Sequence, residues 1–159
     1  MGGTFDILHK GHKALLTRAS EIGNLVLIGL TTDERAIQDR KDIGINSYKT
    51  RKKNLEILLA SMKLPSKFQI VPLNNDWGPS VIEESFTAII VSEETKKTAE
   101  KINTIRTQDG KNKLEIVIVP FVKAYDGQKI SSSRIRNNEI DSNGMLAKLL
   151  NIPPKCDGI

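Results

Sequence analysis

The sequence predicts an α/β protein whose strands form a parallel sheet. The apolar run at 25–30, broken only by Gly29, is typical of a strand buried on both faces, and further strands are predicted at about 68–73, 87–92 and 114–119. The segments between them carry apolar residues at helical spacing. Because strands that alternate with helices favour right-handed crossovers, the strands are expected to run in one direction.

Each predicted helix rests on a pattern in its own segment of the sequence. A helix from about Lys10 carries Ala14, Leu15, Ala19 and Ile22 on one face, and Gly23 is placed to end it. A second helix spans 48–62, with Leu55, Leu58, Leu59 and Met62 facing inward. A short helix is predicted near Ser80 and a longer one over 94–108, which Gly110 stops.

Length and composition limit the functional classes. The chain of 159 residues is predicted to be one domain over 1–159, large enough to bury a core without disulfides. No segment approaches the ~20 apolar residues of a membrane span, and the single cysteine, Cys156, favours a cytosolic location. The net charge of +5 suits small polyanionic substrates better than nucleic acid, because few aromatic residues lie among the basic ones.

The first eleven-residue motif, at 2–12, reads GGTFDILHKGH and places both histidines of the chain in one loop-to-helix corner. If the helix begins at about Lys10, His9 and His12 lean toward one face beside helical N–H groups that lack intrahelical partners. Those N–H groups attract an anion, and Gly11 is expected to leave room for a bulky ligand. The motif therefore predicts an anion site.

The second motif, at 130–136, reads ISSSRIR. Ser131, Ser132 and Ser133 can cap a helix and direct hydroxyls at a ligand, while the guanidinium of Arg134 suits phosphate oxygens. Each motif alone is weak, since a serine run is most often only a cap. Their occurrence in one short α/β chain predicts a nucleotide-phosphate site.

The two motifs together resemble the nucleotidyltransferase superfamily with a T/H-x-G-H corner. The stretch Val91–Thr95, followed by Ile102, Asn103 and Arg106, narrows the resemblance to the archaeal and eukaryotic type of phosphopantetheine adenylyltransferase. This resemblance implies a Rossmann-like, doubly wound parallel sheet of five strands. In the family a hydrophobic strand precedes the glycine-threonine corner, and it is the central strand of the sheet.

Only Met1 precedes Gly2, so a strand of ~5–6 residues cannot fit before the corner. The first central strand is therefore expected to be missing or truncated. We hypothesise that the natural protein begins ~5–10 residues upstream, a hypothesis that rests on the usual length of a strand.

The resemblance implies adenylate transfer from ATP to 4′-phosphopantetheine, giving dephospho-coenzyme A and pyrophosphate. It implies catalytic roles for His12, Thr4 and Lys41, with Arg40 as the rival of Lys41. The implied ATP-binding residues are His9, Gly11, Ser92, Glu93, Thr95, Arg106, Ser131, Ser132, Ser133 and Arg134. The implied acceptor-binding residues are Gly3, Thr4, Phe5, Asp76, Trp77 and Gly78. Glu93 or Glu94 serving only as a helix N-terminal charge, and 76–79 forming a plain turn, are equally good interpretations.

Mg²⁺ is expected to arrive with ATP and to need few protein ligands. A tightly bound metal is not expected, because two histidines and one distant cysteine do not complete a zinc site. Other acceptors remain open: flavin mononucleotide, nicotinamide mononucleotide and glycerol 3-phosphate. So does a module that binds nucleotide or coenzyme A without catalysis. The sequence predicts no oligomeric state.

Overall fold

The computed structural model describes residues 1–40 and 44–147. Five strands, all paired in parallel, alternate with helices. In chain order the elements are β1 Gly2–Gly3, α1 Lys10–Ile22, β2 Leu25–Thr31, α2 Asp33–Arg40, α3 Tyr48–Met62, β3 Lys67–Leu73, a 3₁₀ turn Gly78–Ser80, β4 Ala88–Ser92, a 3₁₀ turn Glu93–Thr95, α4 Lys96–Gln108, β5 Glu115–Val119 and α5 Ser132–Arg136. The predicted parallel α/β architecture is confirmed.

The five strands form two sheets rather than the single sheet that was predicted. One sheet has the order β1-β2-β3 and the other contains β4 and β5. The reason is the shortness of β1, in which Gly2 lies opposite Gly29 and Gly3 opposite Leu30. Two residues bond to β2 but do not reach β4.

Helix α1 holds the two sheets together, because it packs against β2, β4 and β5. Its fully buried residues are Leu16 and Ala19, and Ile22 at its end is half-exposed. The main core combines these residues with apolar side chains from both sheets, among them Ile28, Leu30, Ile90 and Val117. The predicted inward face of α3 is present, with Leu55 fully buried and Leu58, Leu59 and Met62 partly buried against the same core.

Two helical features differ from the expectation. Helix α2 was not predicted from the sequence, and its segment carries Ala36 as its one fully buried apolar residue, too weak a pattern to detect. Helix α4 begins at Lys96 rather than at residue 94, because Glu93–Thr95 form a tighter 3₁₀ turn. No helix in the described part of the chain is both long and apolar enough to cross a membrane.

Candidate active site

The corner before α1 is organised around His9. The His9 side chain caps the helix, since its Nδ1 accepts a hydrogen bond of 3.1 Å from the Gly11 N–H. The ring centroid of His12 lies 4.0 Å from that of His9, and the ring of Phe5 lies 5.0 Å from that of His12. Three rings therefore stack against one another at the N-terminus of α1.

His9 is neutral at pH 7. Its side chain is 8% exposed, and burial lowers its pKa to about 4 by disfavouring the charged imidazolium. Because Nδ1 accepts the capping bond, the proton of the neutral ring lies on Nε2. His9 thus offers a ligand one uncharged N–H donor at the positive end of a helix.

Gly11 serves this cap rather than the ligand. A Cβ at position 11 would lie 2.9 Å from the His9 ring, which fills the space predicted for a bulky ligand. Phe5 is bent into the left-handed region at φ 48°, a rare conformation for an aromatic residue, and is only 3% exposed. The ring of Phe5, a residue implied to bind the acceptor, therefore lies in the core beside His12.

The serine motif meets the histidine corner. Ser131 caps α5 by accepting a hydrogen bond of 3.3 Å from the Arg134 N–H. The buried Ser132 hydroxyl bonds to the backbone of Ile7 at both polar groups, accepting from its N–H at 3.3 Å and donating to its carbonyl at 3.1 Å. The structure thus brings the two predicted phosphate motifs, 125 residues apart, into direct contact.

A buried ion pair forms a second link between the two motifs. Asp6 is 3% exposed, and its carboxylate pairs with the guanidinium of Arg136 on α5. The same carboxylate accepts hydrogen bonds from the Asn46 backbone N–H at 2.8 Å and from its side-chain amide at 2.9 Å. The loop before α3 is thereby fastened to the corner as well.

Arg134 faces carboxylates in the structure. Its guanidinium pairs with Asp126 and with Glu139, and it donates to the Lys129 carbonyl at 3.1 Å. The hydrogen bond from Arg134 lowers the pKa of Asp126. Contact with ATP phosphates would require this guanidinium to exchange a carboxylate for a phosphate.

A cavity of about 620 Å³ runs along the strands between the two sheets. The carboxyl ends of β2 and β4 lie at one end of it, where ligands of parallel sheets usually bind. Residues that line this end are Gly3, Thr4, Thr31, Arg35, Asp76, Trp77 and Thr95. Four predicted acceptor residues, Gly3, Thr4, Asp76 and Trp77, are therefore gathered in one cavity, and Asp76 forms an ion pair with Arg35.

The loop after β4 is capped locally. Ser92 and Thr95 bond reciprocally in a capping box, with the Thr95 hydroxyl 3.2 Å from the Ser92 N–H. Glu94 pairs with Lys129, while Glu93 is exposed. Of residues 92–95, only Thr95 lines the cavity.

The chain is similar to several known proteins. A family model described as cytidylyltransferase-like matches residues 1–138. A phosphopantetheine adenylyltransferase from Methanosarcina mazei is 47% identical over 151 residues, which cover 93% of this chain and 96% of the relative. Proteins of the same name from Methanothermobacter thermautotrophicus and Pyrococcus abyssi are 43% and 42% identical, over 93% and 91% of this chain and 88% and 91% of their own lengths.

The chain belongs to the cytidylyltransferase-like family, among its phosphopantetheine adenylyltransferases. Solved structures agree with the fold of this family. A protein of unknown function from Archaeoglobus fulgidus is 32% identical, with a TM-score of 0.68 over 77% of this chain and 97% of its own. A lipopolysaccharide core biosynthesis protein from Thermoplasma volcanium, 23% identical with a TM-score of 0.57 over 74% of this chain and 91% of its own, shares the fold.

Arg106 has a different role from the one that the resemblance to the adenylyltransferases implied. It is fully buried at the last turn of α4, about 16 Å along the helix from Thr95. Its guanidinium donates to the carbonyls of Ser80, Glu83 and Asn112 at 2.7–2.8 Å. Arg106 therefore fastens the loop before β4 to α4.

Arg51 is the site residue that the sequence did not reveal in this adenylyltransferase. Fully buried on α3, it donates to the carbonyls of Thr4 at 2.9 Å and Asn46 at 2.8 Å, and pairs with Asp33 at 2.9 Å. In the sequence it is one of four basic residues within 49–53, which reads as a solvated helix face. The sequence carried one signal that Arg51 is buried. Arg51 lies four residues before Leu55, so both side chains lie on the buried face of α3.

Some of the predicted residues of this adenylyltransferase lie outside the described residues. They are Lys41, the side chain of Arg40 and the predicted tail with Cys156. Gly78 begins a 3₁₀ turn with φ +53°, and its N–H donates to the side chain of Asn75 at 2.7 Å. The described residues contain no group of three or more His, Cys, Asp and Glu side chains that could hold a metal ion.

Proposed function

We propose that this chain transfers adenylate from ATP to the phosphate of 4′-phosphopantetheine, giving dephospho-coenzyme A and pyrophosphate. The observation that carries the proposal is the contact between Ser132 and Ile7, which joins the serine motif to the histidine corner. The relatives named phosphopantetheine adenylyltransferase supply the choice of acceptor.

The proposed reaction needs no general base. The acceptor phosphate is already anionic near pH 7, since the second pKa of a phosphomonoester is ~6. One of its oxygens attacks the α-phosphorus of ATP, the bond from that phosphorus to the bridging oxygen breaks, and pyrophosphate leaves with the electron pair. The protein has to align two anions and stabilise the charge on the α-phosphate and leaving group.

The corner residues suit that task. We assign His12 as the donor to the α-phosphate in the transition state, and Thr4 as a contact to the reacting phosphates. His9 supplies its Nε2–H to the phosphates of ATP, a role supported by its neutral state and its place at the helix N-terminus. Ser131, Ser133 and Arg134 hold the β- and γ-phosphates, while Ser132 positions the motif through Ile7.

The acceptor fits the carboxyl end of the cavity. An apolar wall from Trp77 and a polar rim from Asp76 and Arg35 suit an arm that carries amides on an aliphatic chain.

Mg²⁺ is proposed to enter with the phosphates of ATP, where it would neutralise charge with few protein ligands. Lys41 remains the proposed lysine that reaches the phosphates. A cytoplasmic location is proposed, because the single cysteine, Cys156, cannot form an internal disulfide.

The experiment is a pyrophosphate-release assay with ATP, Mg²⁺ and one of four acceptors: 4′-phosphopantetheine, flavin mononucleotide, nicotinamide mononucleotide or glycerol 3-phosphate. CTP replaces ATP in a parallel series. We expect release with ATP and 4′-phosphopantetheine, with dephospho-coenzyme A as the second product.

Release with another pair of substrates would assign a different transfer reaction to the same site. Binding of ATP without release for any acceptor would instead show a nucleotide-binding module. The variant Arg18→Met should keep the activity of the unchanged protein, because Arg18 lies on the exposed face of α1. Among the described residues it pairs only with Glu21.

A further inference from the structure

The wall proposed for the acceptor arm belongs to one loop. This loop, residues 74–87, connects β3 to β4, and we call it the β3–β4 loop. The residues of the loop that line the cavity are Asn75, Asp76, Trp77, Pro79, Ser80, Ser85, Phe86 and Thr87. Trp77 is half-buried and is the single tryptophan of the chain, so its fluorescence reports on this loop alone. The position of the loop decides where the wall lies.

The first part of the β3–β4 loop is closed by its own hydrogen bonds. The side-chain oxygen of Asn75 accepts from the N–H groups of Trp77 at 3.0 Å and Gly78 at 2.7 Å. The Pro79 carbonyl accepts from the Glu83 N–H at 2.9 Å. These bonds give the turn its shape, but they do not fix its place on the rest of the fold.

Arg106 holds two carbonyls of this loop. Its Nη1 donates to the carbonyl of Ser80 at 2.7 Å and to that of Glu83 at 2.8 Å. Its Nε donates to the Asn112 carbonyl at 2.7 Å, in the segment before β5. Arg106 itself is fully buried on α4, which packs against β4 and β5. One side chain therefore ties the β3–β4 loop to α4 and to the segment before β5.

The guanidinium of Arg106 fixes geometry rather than neutralising a charge. Within residues 1–40 and 44–147 its hydrogen-bond partners are three neutral carbonyls, and its Nη2 meets no acceptor. A planar guanidinium presents its donors at fixed angles, so the carbonyls bonded to it are held in one arrangement. A lysine would keep the charge but not this arrangement, because its ammonium rotates on a flexible stem.

The bonds of Arg106 act together with the apolar packing of Trp77. Trp77 and Phe86 pack against the buried cluster that contains Ile102. Ile102 lies four residues before Arg106, so both side chains lie on one face of α4. The polar and the apolar contacts of the loop thus meet the same face of one helix.

We propose that Arg106 is a positioning residue for the acceptor: it holds the β3–β4 loop so that Trp77 forms the wall against the arm of 4′-phosphopantetheine. This assignment rests on the proposed function, which supplies the identity of the acceptor. In the described part of the chain, the hydrogen bonds of Arg106 reach neither the histidine corner nor the serine motif. Loss of Arg106 should therefore lower the affinity for the acceptor and leave the affinity for ATP unchanged.

The test compares Arg106→Met and Arg106→Lys with Asn103→Ala, a matched control about one turn earlier on α4. Asn103 is also buried, but its side chain bonds to the N–H and the carbonyl of Leu114, at 2.7 Å and 2.9 Å. The control therefore loosens the segment before β5 without releasing the loop. Emission of Trp77 and its quenching by acrylamide report on the loop. Calorimetric titrations measure the affinities for ATP and for 4′-phosphopantetheine.

We expect both Arg106 variants to raise the dissociation constant for 4′-phosphopantetheine roughly 10-fold or more, because displacing a positioning element by about 1 Å has effects of up to roughly 10²-fold. The dissociation constant for ATP should not change. Emission of Trp77 should shift to longer wavelength, and acrylamide should quench it more readily. Asn103→Ala should lower Tm but leave the Trp77 emission and both affinities as they are in the unchanged protein.

The inference is overturned if the Arg106 variants match Asn103→Ala in Trp77 emission or in affinity for the acceptor. An equal loss of affinity for ATP and for the acceptor would overturn it too, since general loss of structure has that effect. If Arg106→Met does not fold, Arg106→Lys decides on the same criteria. Failure of the unchanged protein to bind 4′-phosphopantetheine would instead refute the proposed function, and Trp77 emission would still decide whether Arg106 holds the loop.

Discussion

The hydroxyl of Ser132 is bonded to both backbone polar groups of Ile7, and this contact fixes the distance between the two predicted phosphate motifs. Ser132 is buried, whereas Ser133 beside it is half-buried. The two neighbouring serines therefore allow the proposed positioning role of Ser132 to be tested separately from the proposed binding role of Ser133.

We expect Ser132→Ala to lower both the free energy of unfolding and the affinity for ATP. The variant leaves the Ile7 N–H and carbonyl without this partner, and a buried unsatisfied group costs about 1–3 kcal/mol. Ser133→Ala should change the free energy of unfolding by no more than about 0.5 kcal/mol. This variant should lower only the affinity for ATP. Urea unfolding and ATP titration decide this, and equal behaviour of the two variants would contradict the separation.

His12→Ala should mainly slow turnover. A donor that acts on charge developing in the transition state contributes little to ground-state binding, and losing it lowers kcat by roughly 10²–10³-fold. Steady-state kinetics together with direct ATP titration measure the two effects separately. Full activity, or a loss of affinity as large as the loss of rate, would exclude this role for His12.

His9→Asn should remove a pH dependence of stability while keeping the helix cap. The folded-state pKa of about 4 lies below the ordinary value of 6.5, so the unfolded chain takes up the proton first as the pH falls. The stability from neutral His9 is complete above pH 6.5 and is lost as the pH falls toward 4.

Between pH 7 and pH 4.5 this loss amounts to about 2 kcal/mol. Asparagine also caps helices but does not titrate, so the variant should lack this part of the loss. Urea midpoints at the two pH values provide the measurement, and parallel pH profiles of the two proteins would contradict a neutral His9.

Arg51→Met should destabilise the fold by about 3 kcal/mol or more, because the carbonyls of Thr4 and Asn46 lose their donor. Arg51→Lys keeps the charge but not the planar fork, so it should restore only part of the loss. Arg18→Met, at an exposed ion pair, should stay within about 0.5 kcal/mol. Leaving even one buried polar group unsatisfied costs about 1 kcal/mol or more. If Arg51→Met lowers the free energy of unfolding by less than that, Arg51 does not stabilise the fold through these carbonyls.

The variants Arg134→Ala and Asp126→Asn test whether Arg134 binds ATP or only holds the segment before α5. Both variants break the contact between Arg134 and Asp126, so both should lower Tm. Only Arg134→Ala removes the guanidinium that can bind phosphate, and it alone should raise the KM for ATP. An equal rise of KM in both variants would show that Arg134 acts only by holding the segment before α5.

The amino-acid sequence by itself determined the class of fold and the two motifs of the site. The segments 25–30 and 114–119 form strands, as their composition predicts, and Leu55 faces the core at the predicted helical spacing. His9 and Ser131 cap their helices for local reasons that a few neighbouring residues decide.

Tertiary structure decided what depends on contacts between distant residues. Arg51 looks like a surface charge in the sequence, and the resemblance implied that Arg106 binds ATP, but carbonyls of other segments surround both side chains in the core. The sequence predicted a truncated first strand, but the resulting division into two sheets depends on whether β1 reaches β4, which is a contact between distant segments. Hydrogen-bond satisfaction of a buried guanidinium and pairing of a strand edge are both properties of segments far apart in the chain, so only the folded protein establishes them.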